Sequence, residues 1–572
     1  MAQDNAPTPK RGPELSADSS EVIEFRAKNP ESTRKGPRFW AILFVLSLTS
    51  LLTSLEATIT STVLPVIVAE LDGGDDYIWV ANGYFLTMAS LQPMFGQIAN
   101  IFGRRWPMIG STVTFVVGSG ICGGATSMTM LIAGRVLQGV GGSGISVLVE
   151  TVVCDLVPLR ERGNYMAIVF GMISLGTSLG PLFGGLIVQY STWRWAFYMA
   201  LPIGGPALVL LVLFLHVNYD RANGLATKLG SLDWLGNVVF IGASCSVLIA
   251  LSWAGVQYEW SAWEVLVPLI VGMVGLVGFI ALESSRFVSN PMMPIRLFKT
   301  QVSSGVFVIT FIHGIITMWA FYFLPVYFQG VLEASPYRSG IMLLPTILAL
   351  IPAAIVGGLA LTKFGRYKPI LVLAFALVVI GFGVFSTMDQ HSSTGAWVGF
   401  QIIESMGAGL GIPVLLPALL APLTDGDTAL ATGTWAFMRS FGVTWGVAIA
   451  GAVYSNRAEQ LAGSGAITDR EVAAQFAGGG AYRDATANFL DSLTEKARKE
   501  VIGVQSSALQ RSWQVAIAFG AVGFLAAALL KEVPLRKELD TEFGILEEKD
   551  NGDKQAETAG DEIPTQSQEA RK

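Results

Sequence analysis

Gly96-Gln-Ile-Ala-Asn-Ile-Phe-Gly-Arg-Arg105 recurs as Gly358-Leu-Ala-Leu-Thr-Lys-Phe-Gly-Arg-Tyr367, with Gly, Phe, Gly and Arg coinciding at four of the ten positions. Each copy follows a long apolar segment and enters a basic connection. The first lies after the second such segment of the chain and the other after the tenth, an offset of eight. Self-similarity at that spacing predicts six helices, two extra helices, then six more, the two sets of six being parallel repeats about an axis along a membrane normal.

The rest of the chain fits that partition. Of its 572 residues 52% are hydrophobic and 14% charged, with a mean hydropathy of +0.53, whereas soluble domains carry about 25% charged residues. A large soluble enzyme is thereby excluded. Apolar segments lie near 40–66, 78–99, 106–126, 130–153, 165–189, 195–217, 234–254, 264–283, 304–327, 340–361, 369–388, 396–420, 433–454 and 513–531. Each is about the twenty residues a helix needs to cross roughly 30 Å of hydrocarbon, so the expectation is an all-α polytopic membrane protein with fourteen spans. The predicted organisation is a disordered tail 1–37 without a signal peptide, a six-helix bundle 38–217, two extra helices and a linker 218–300, a second bundle 301–531 interrupted by a long connection 455–511 with small helical excursions, and a disordered tail 532–572.

Basic residues set the expected orientation. One set of short connections holds Arg104, Arg105, Arg160, Arg162, Arg221, Lys228, Arg286, Arg296, Lys299, Lys363, Arg366 and Lys368; the other holds only Arg194 and Arg338, and begins with the acids Glu70, Asp72, Asp75 and Asp76. The positive-inside rule places the first set, and with it both termini, in the cytoplasm. The net charge of −6 offers no basic patch for nucleic acid. Cys122, Cys154 and Cys245 lie in apolar segments and read as small core residues. His216, His313 and His391 are too scattered for a metal site. Two Gly-x-Gly-x-x-Gly matches, Gly118-Gly120-Gly123 and Gly139-Gly141-Gly144, fall inside apolar spans with no preceding strand, so they are no dinucleotide turns. No phosphate loop occurs.

Several further motifs lie in order along the spans: Leu131-x-x-x-Arg135-x-x-Gln138-Gly139, Gly176-x-x-x-Gly180-Pro181-x-x-Gly184-Gly185, Leu55-Glu56-Ala-Thr-Ile59 with Leu64-Pro65, Trp193-Arg194-Trp195 with Leu201-Pro202, and Pro294-x-Arg296-Leu297-Phe298. With Gly96–Arg105 they resemble the major facilitator superfamily, in particular its fourteen-span drug:proton antiporter branch and most of all the fungal efflux pumps, over roughly residues 38–455 and the last span. The resemblance implies that fold, export of a hydrophobic or amphipathic small molecule by alternating access, a proton gradient in place of any cofactor, protons and small-molecule substrate as partners, and a monomer in the lipid bilayer of the cell membrane. It also implies that Gly96, Asn100, Gly103, Arg104 and Arg105, with Gly176, Gly180, Pro181, Gly184 and Gly185, govern the conformational change. Rival readings are an importer of the siderophore or amino-acid type, against which the span-5 motif argues, and a receptor on the same fold.

Individual residues carry their own chemistry. Gly176, Gly180 and Gly184 form one bare face on span 5 where another helix can approach, and Pro181 removes a backbone donor there. Glu56 in span 1 is costly within a membrane unless it faces a cavity or takes up a proton. Glu150 in span 4 and Glu404 in span 12 raise the same question. Arg135 and Glu150 share nearly one helix face about 22 Å apart, too far for a direct ion pair. Arg135 is the basic residue deep in the first half and Arg439 its counterpart by depth in the second. Glu56 and Glu150 are thus candidates for proton coupling, to which the resemblance adds Arg135, and Glu404, His313, Tyr322, Trp435 and Arg439 are candidates for the substrate cavity. Asn100 departs from the Asp of the family's loop motif, which removes a charged latch; Arg104, Arg105 and the pair Asp155/Arg162 are the candidate substitutes.

Overall fold

The computed structural model describes residues 35–71, 77–216, 224–255, 257–285, 288, 290–476, 481 and 487–536. Most of both expected tails, and Asp72, Asp75, Asp76, Arg221 and Arg286, lie outside the described residues. Fourteen long helices follow one another: α1 (Pro37–Leu71), α2 (Tyr77–Phe102), α3 (Arg105–Gly123), α4 (Met128–Leu156), α5 (Arg162–Tyr190), α6 (Ala200–Phe214, entered through the turn Trp195–Tyr198), α7 (Trp234–Trp253), α8 (Trp263–Glu283), α9 (Gln301–Gly330), α10 (Leu344–Phe364, entered through Pro336–Met342), α11 (Lys368–Phe385), α12 (Thr394–Leu420), α13 (Thr428–Leu461) and α14 (Glu495–Leu529).

Thirteen of these are long and apolar enough to cross a membrane. The exception is α2, 26 residues long, whose Asn82, Gln92, Gln97 and Asn100 dilute its hydropathy; it is enclosed by α4, α7 and α13, where buried polar residues find shelter from lipid. Helix starts follow local chemistry. The side chains of Ser127, Thr300, Ser393 and Thr494 accept backbone N–H groups in the first turns of α4, α9, α12 and α14, satisfying donors that a helix leaves open.

Packing repeats with the offset of eight. The pairs α1–α5, α2–α4, α3–α4 and α3–α6 in the first half are matched by α9–α13, α10–α12, α11–α12 and α11–α14 in the second. The halves meet through α2–α13 and α5–α10, which the same operation interchanges. The pair α7–α8 leans on α2 and α13 through α7, leaving Ile270, Val274 and Val277 of α8 exposed as an apolar surface suited to lipid.

Both glycines of the repeated motif have positional reasons. Gly103 and Gly365 end α2 and α10 at φ 77° and 67°, the left-handed conformation that favours glycine. Gly96 and Gly358, seven residues earlier, sit where helices of opposite halves touch. A Cβ on Gly96 would lie 2.7 Å from the Ala429 carbonyl oxygen, and one on Gly358 would lie 2.5 Å from that of Gly163.

The connection expected over 455–511 is mostly helix. α13 runs on to Leu461, short helices span Arg470–Gln475 and Ala487–Asp491, and α14 begins at Glu495 rather than near 513. Hydropathy marks only the lipid-crossing part of a helix, so the polar extensions were hidden. Arg498 fastens one of them by a two-pronged bond to Glu333 at 2.7 and 2.6 Å.

Candidate functional site

Two buried charged clusters stand out. In the first half, Glu56 on α1 is fully buried, enclosed by α3 and α4 rather than open to a cavity. Ser119 on α3 donates its hydroxyl toward both carboxylate oxygens at 3.0 and 2.9 Å, and the Gln138 amide on α4 also donates to Glu56. One turn back, Arg135 donates to the Gln138 carbonyl oxygen at 2.9 Å and to the backbone carbonyl of Val80 at 2.9 Å. Its guanidinium lies 4.5 Å over the Tyr84 ring. Gln138 therefore stands between an acid and a guanidinium and bonds to both, so a change of charge on Glu56 is felt at Arg135 without their touching. The Arg-x-x-Gln spacing put both residues on one helix face; nothing in the sequence marked Ser119.

The second cluster joins the halves. Glu150 on α4 pairs with Arg439 on α13 at 2.9 Å, a partner 289 residues away. Arg135 and Glu150 are separate, as their spacing along α4 requires. The Arg439 guanidinium lies 4.5 Å over the Trp435 ring and 5.2 Å from the Phe170 ring on α5; the two rings meet edge to face at 6.2 Å. Phe170 carried no sequence signal among its apolar neighbours. Each cluster combines one acid with one guanidinium, which keeps charge in the interior balanced.

The remaining candidates scatter. His313 is buried within the second half, its Nε2 at 3.0 Å from the Ala408 carbonyl oxygen and its ring beside Phe375. Glu404 is 2% exposed and faces Gly381 of α11, with Ser405 donating to it at 3.2 Å; it points into its own bundle. Tyr322 is 44% exposed and joins neither cluster.

Gly176, Gly180 and Gly184 face α1. Side chains there would meet the hydroxyls of Ser54, Thr58 and Thr62 and nearby α1 backbone, whereas Gly185 faces open space and Pro181 is exposed. Asn100 is partly exposed. Beside it the buried Arg104 bonds Asp155 at 2.7 Å and the Ala99 carbonyl at 2.9 Å, tying the α2–α3 turn to the end of α4. Arg105 donates to the Val212 carbonyl at 2.9 Å and Arg162 to that of Val157 at 3.0 Å. At the opposite ends of the helices, Glu70 accepts from Arg194 at 2.6 Å and Trp193 at 2.8 Å.

Comparison with known proteins agrees with this geometry. The Major Facilitator Superfamily profile matches residues 46–447. The chain is 56% identical over 533 residues to the MFS-type transporter pydD of an Acremonium species, covering 93% of each. It is 41% identical over 561 residues to the efflux pump FUS6 of Gibberella fujikuroi, covering 98% of this chain and 99% of that one. The human organic anion transporter MFSD10 shares the fold, with a TM-score of 0.56 at 14% identity over 86% of this chain and 100% of that one. Two repeated helical bundles meeting at paired glycines, with a profile match over most of the chain and relatives that are transporters rather than enzymes, establish this chain as a multi-pass membrane transporter of the major facilitator superfamily.

Proposed function

We propose that the protein exports a hydrophobic or amphipathic organic compound across the cell membrane in exchange for protons. The fungal relatives named as efflux pumps support the direction. The observation that carries proton coupling is the fully buried Glu56, hydrogen-bonded to Ser119 and Gln138 and linked through Gln138 to Arg135. A carboxylate in hydrocarbon is costly unless neutralised or paired, so proton uptake there changes how tightly α1, α3 and α4 are held together. Each proton entering down 100 mV releases about 2.3 kcal/mol; no further cofactor is needed. With the basic connections inside, both termini are cytoplasmic and the glycine contacts close the cytoplasmic ends of the halves. Glu150 and Arg439 then form a bond between the halves that must open for the cytoplasmic side to admit cargo. The protein works as a monomer, its two halves supplying the moving parts.

The test is transport in inside-out vesicles under an imposed pH gradient. Glu56→Gln should abolish gradient-driven uptake while downhill exchange persists; unchanged proton-dependent uptake removes Glu56 from the mechanism. Gradient-driven movement in the opposite direction would mean an importer.

A further inference from the structure

We infer that Arg439, Trp435 and Phe170 form the recognition point for cargo, and that the cargo class is a planar conjugated compound carrying an acidic oxygen. This rests on the transport reading above and adds the chemistry of what is carried.

The Arg439 guanidinium uses Nη2 for Glu150, while Nη1 is buried without a hydrogen-bond partner. One turn earlier on α13, the Trp435 side chain is 1% exposed and its Nε1 likewise lacks an acceptor. A buried donor without a partner is unfavourable, and hydrocarbon offers no replacement. Two such donors one turn apart on one helix call for a ligand with acceptor oxygens.

The cluster also has an unpartnered acceptor, Glu150 Oε2, so the sign of the ligand's charge needs deciding. The Glu150 side chain is 2% exposed and that of Arg439 is 23% exposed. An arriving ligand therefore meets the guanidinium, with the carboxylate behind it. Among the described residues the acid paired with Arg439 is Glu150 from α4. Arginine's planar fork favours carboxylate-like oxygens. The rings of Phe170 and Trp435, set edge to face against each other and both flanking the cation, suit a flat conjugated body.

This arrangement also gives the ligand a mechanical consequence. Arg439 has one acid partner on the opposite half; an acidic oxygen on the cargo competes for the same guanidinium and weakens the bond between α4 and α13. Binding thereby favours separation of the halves where they are joined.

The experiment is equilibrium binding to the purified full-length protein in detergent, followed by fluorescence anisotropy, with no gradient present. Two probes share the xanthene plane and differ in charge: anionic fluorescein and cationic rhodamine 6G. Fluorescein should bind the wild-type protein at least roughly tenfold more tightly, about the value of one charge-assisted hydrogen bond. Trp435→Phe, which keeps a ring and removes the N–H, should weaken fluorescein severalfold and leave rhodamine 6G unchanged. Arg439→Gln should remove the preference between the dyes. Equal or stronger binding of rhodamine 6G by the wild type, binding of neither dye, or equal losses of both dyes in Trp435→Phe would overturn the inference. Because no gradient enters, this result is independent of whether Glu56 couples protons.

Discussion

Gly433 on α13 and Gly96 on α2 touch backbone to backbone: a Cβ on Gly433 would stand 3.0 Å from the Gly96 α-carbon and 2.9 Å from the Gln92 carbonyl oxygen. The counterpart contact, Gly163 against Gly358, lies on the other side of the axis that relates the halves. Both sit near the same ends of their helices, so together they hold those ends closed at two points.

Enlarging either contact should hold the halves apart there. Gly96→Ala and Gly358→Ala each meet backbone carbonyls, which have nowhere to go. Spin labels in the α4–α5 and α10–α11 connections should report a longer separation in both variants, and transport should fall. Gly110→Ala on α3, where nothing lies within 4 Å, is the matched control and should leave the distance unchanged.

The α1–α5 seam gives a sharper contrast within one motif. A Cβ on Gly180 would meet the Thr58 hydroxyl, the Ile59 amide nitrogen at 2.9 Å and the Leu55 carbonyl at 2.9 Å, whereas one on Gly185 meets nothing within 4 Å. Gly180→Ala should destabilise by about 1–3 kcal/mol, the usual consequence of overpacking, and Gly185→Ala should be nearly neutral. Thermal unfolding in detergent separates the two; equal effects would mean that the motif acts other than by packing against α1.

The repeat was legible because its glycines answer backbone demands that no other residue meets well. Gly103 and Gly365 need positive φ and Gly96 and Gly358 need contact, so the same letters recur at the same offset. The Glu56 cluster was half legible: the acid and the Arg135–Gln138 spacing could be read, but Ser119 is one hydroxyl among many in apolar helices. The pairing of Glu150 with Arg439 was out of reach, because it depends on how two halves dock and leaves no periodicity in either strand of sequence around it. Glu404 and His313 were read by residue type as cavity groups, but helix rotation turns them toward neighbours in their own bundle.

Arg104 and Asp155 form a buried ion pair at 2.7 Å beside Asn100. Their side chains are 1% and 4% exposed, so removing the Asp155 carboxylate takes the neutralising charge away from a buried guanidinium. Asp155→Ala should destabilise by about 3–5 kcal/mol, the range for breaking a buried pair from one side. Replacing Asn100 by Ala, a partly exposed position, should have a much smaller effect. Melting temperatures of the two variants test whether the tie between the α2–α3 turn and α4 rests on Asp155.

The extended segment 531–536 after α14 ties several parts of the same face together. Tyr367 donates its hydroxyl to the Lys531 carbonyl at 2.7 Å and accepts from the Val533 amide at 2.8 Å. The Arg160 amide donates to the Arg536 carbonyl at 3.2 Å, and the Arg536 guanidinium reaches Asp425 at 3.1 Å and the Leu423 carbonyl at 2.9 Å. Arg160 in turn donates to the carbonyls of Thr362 and Lys363 at 2.9 and 3.0 Å, a cation at the end of α10 where the helix dipole favours one. Arg160 belongs to the first half and its acceptors to the second, so the strap adds to the closure that the glycines provide. Arg160→Ala should therefore open this face and raise labelling by a thiol reagent severalfold at a cysteine placed at Gly171, where an added side chain meets Ile351 of α10 at an ordinary 3.8 Å. Tyr367→Phe, which loses two bonds confined to the second half, should loosen residues 531–536 to proteolysis without that rise in labelling. Equal labelling in both variants would show that the strap, and not Arg160's hold on α10, carries the closure.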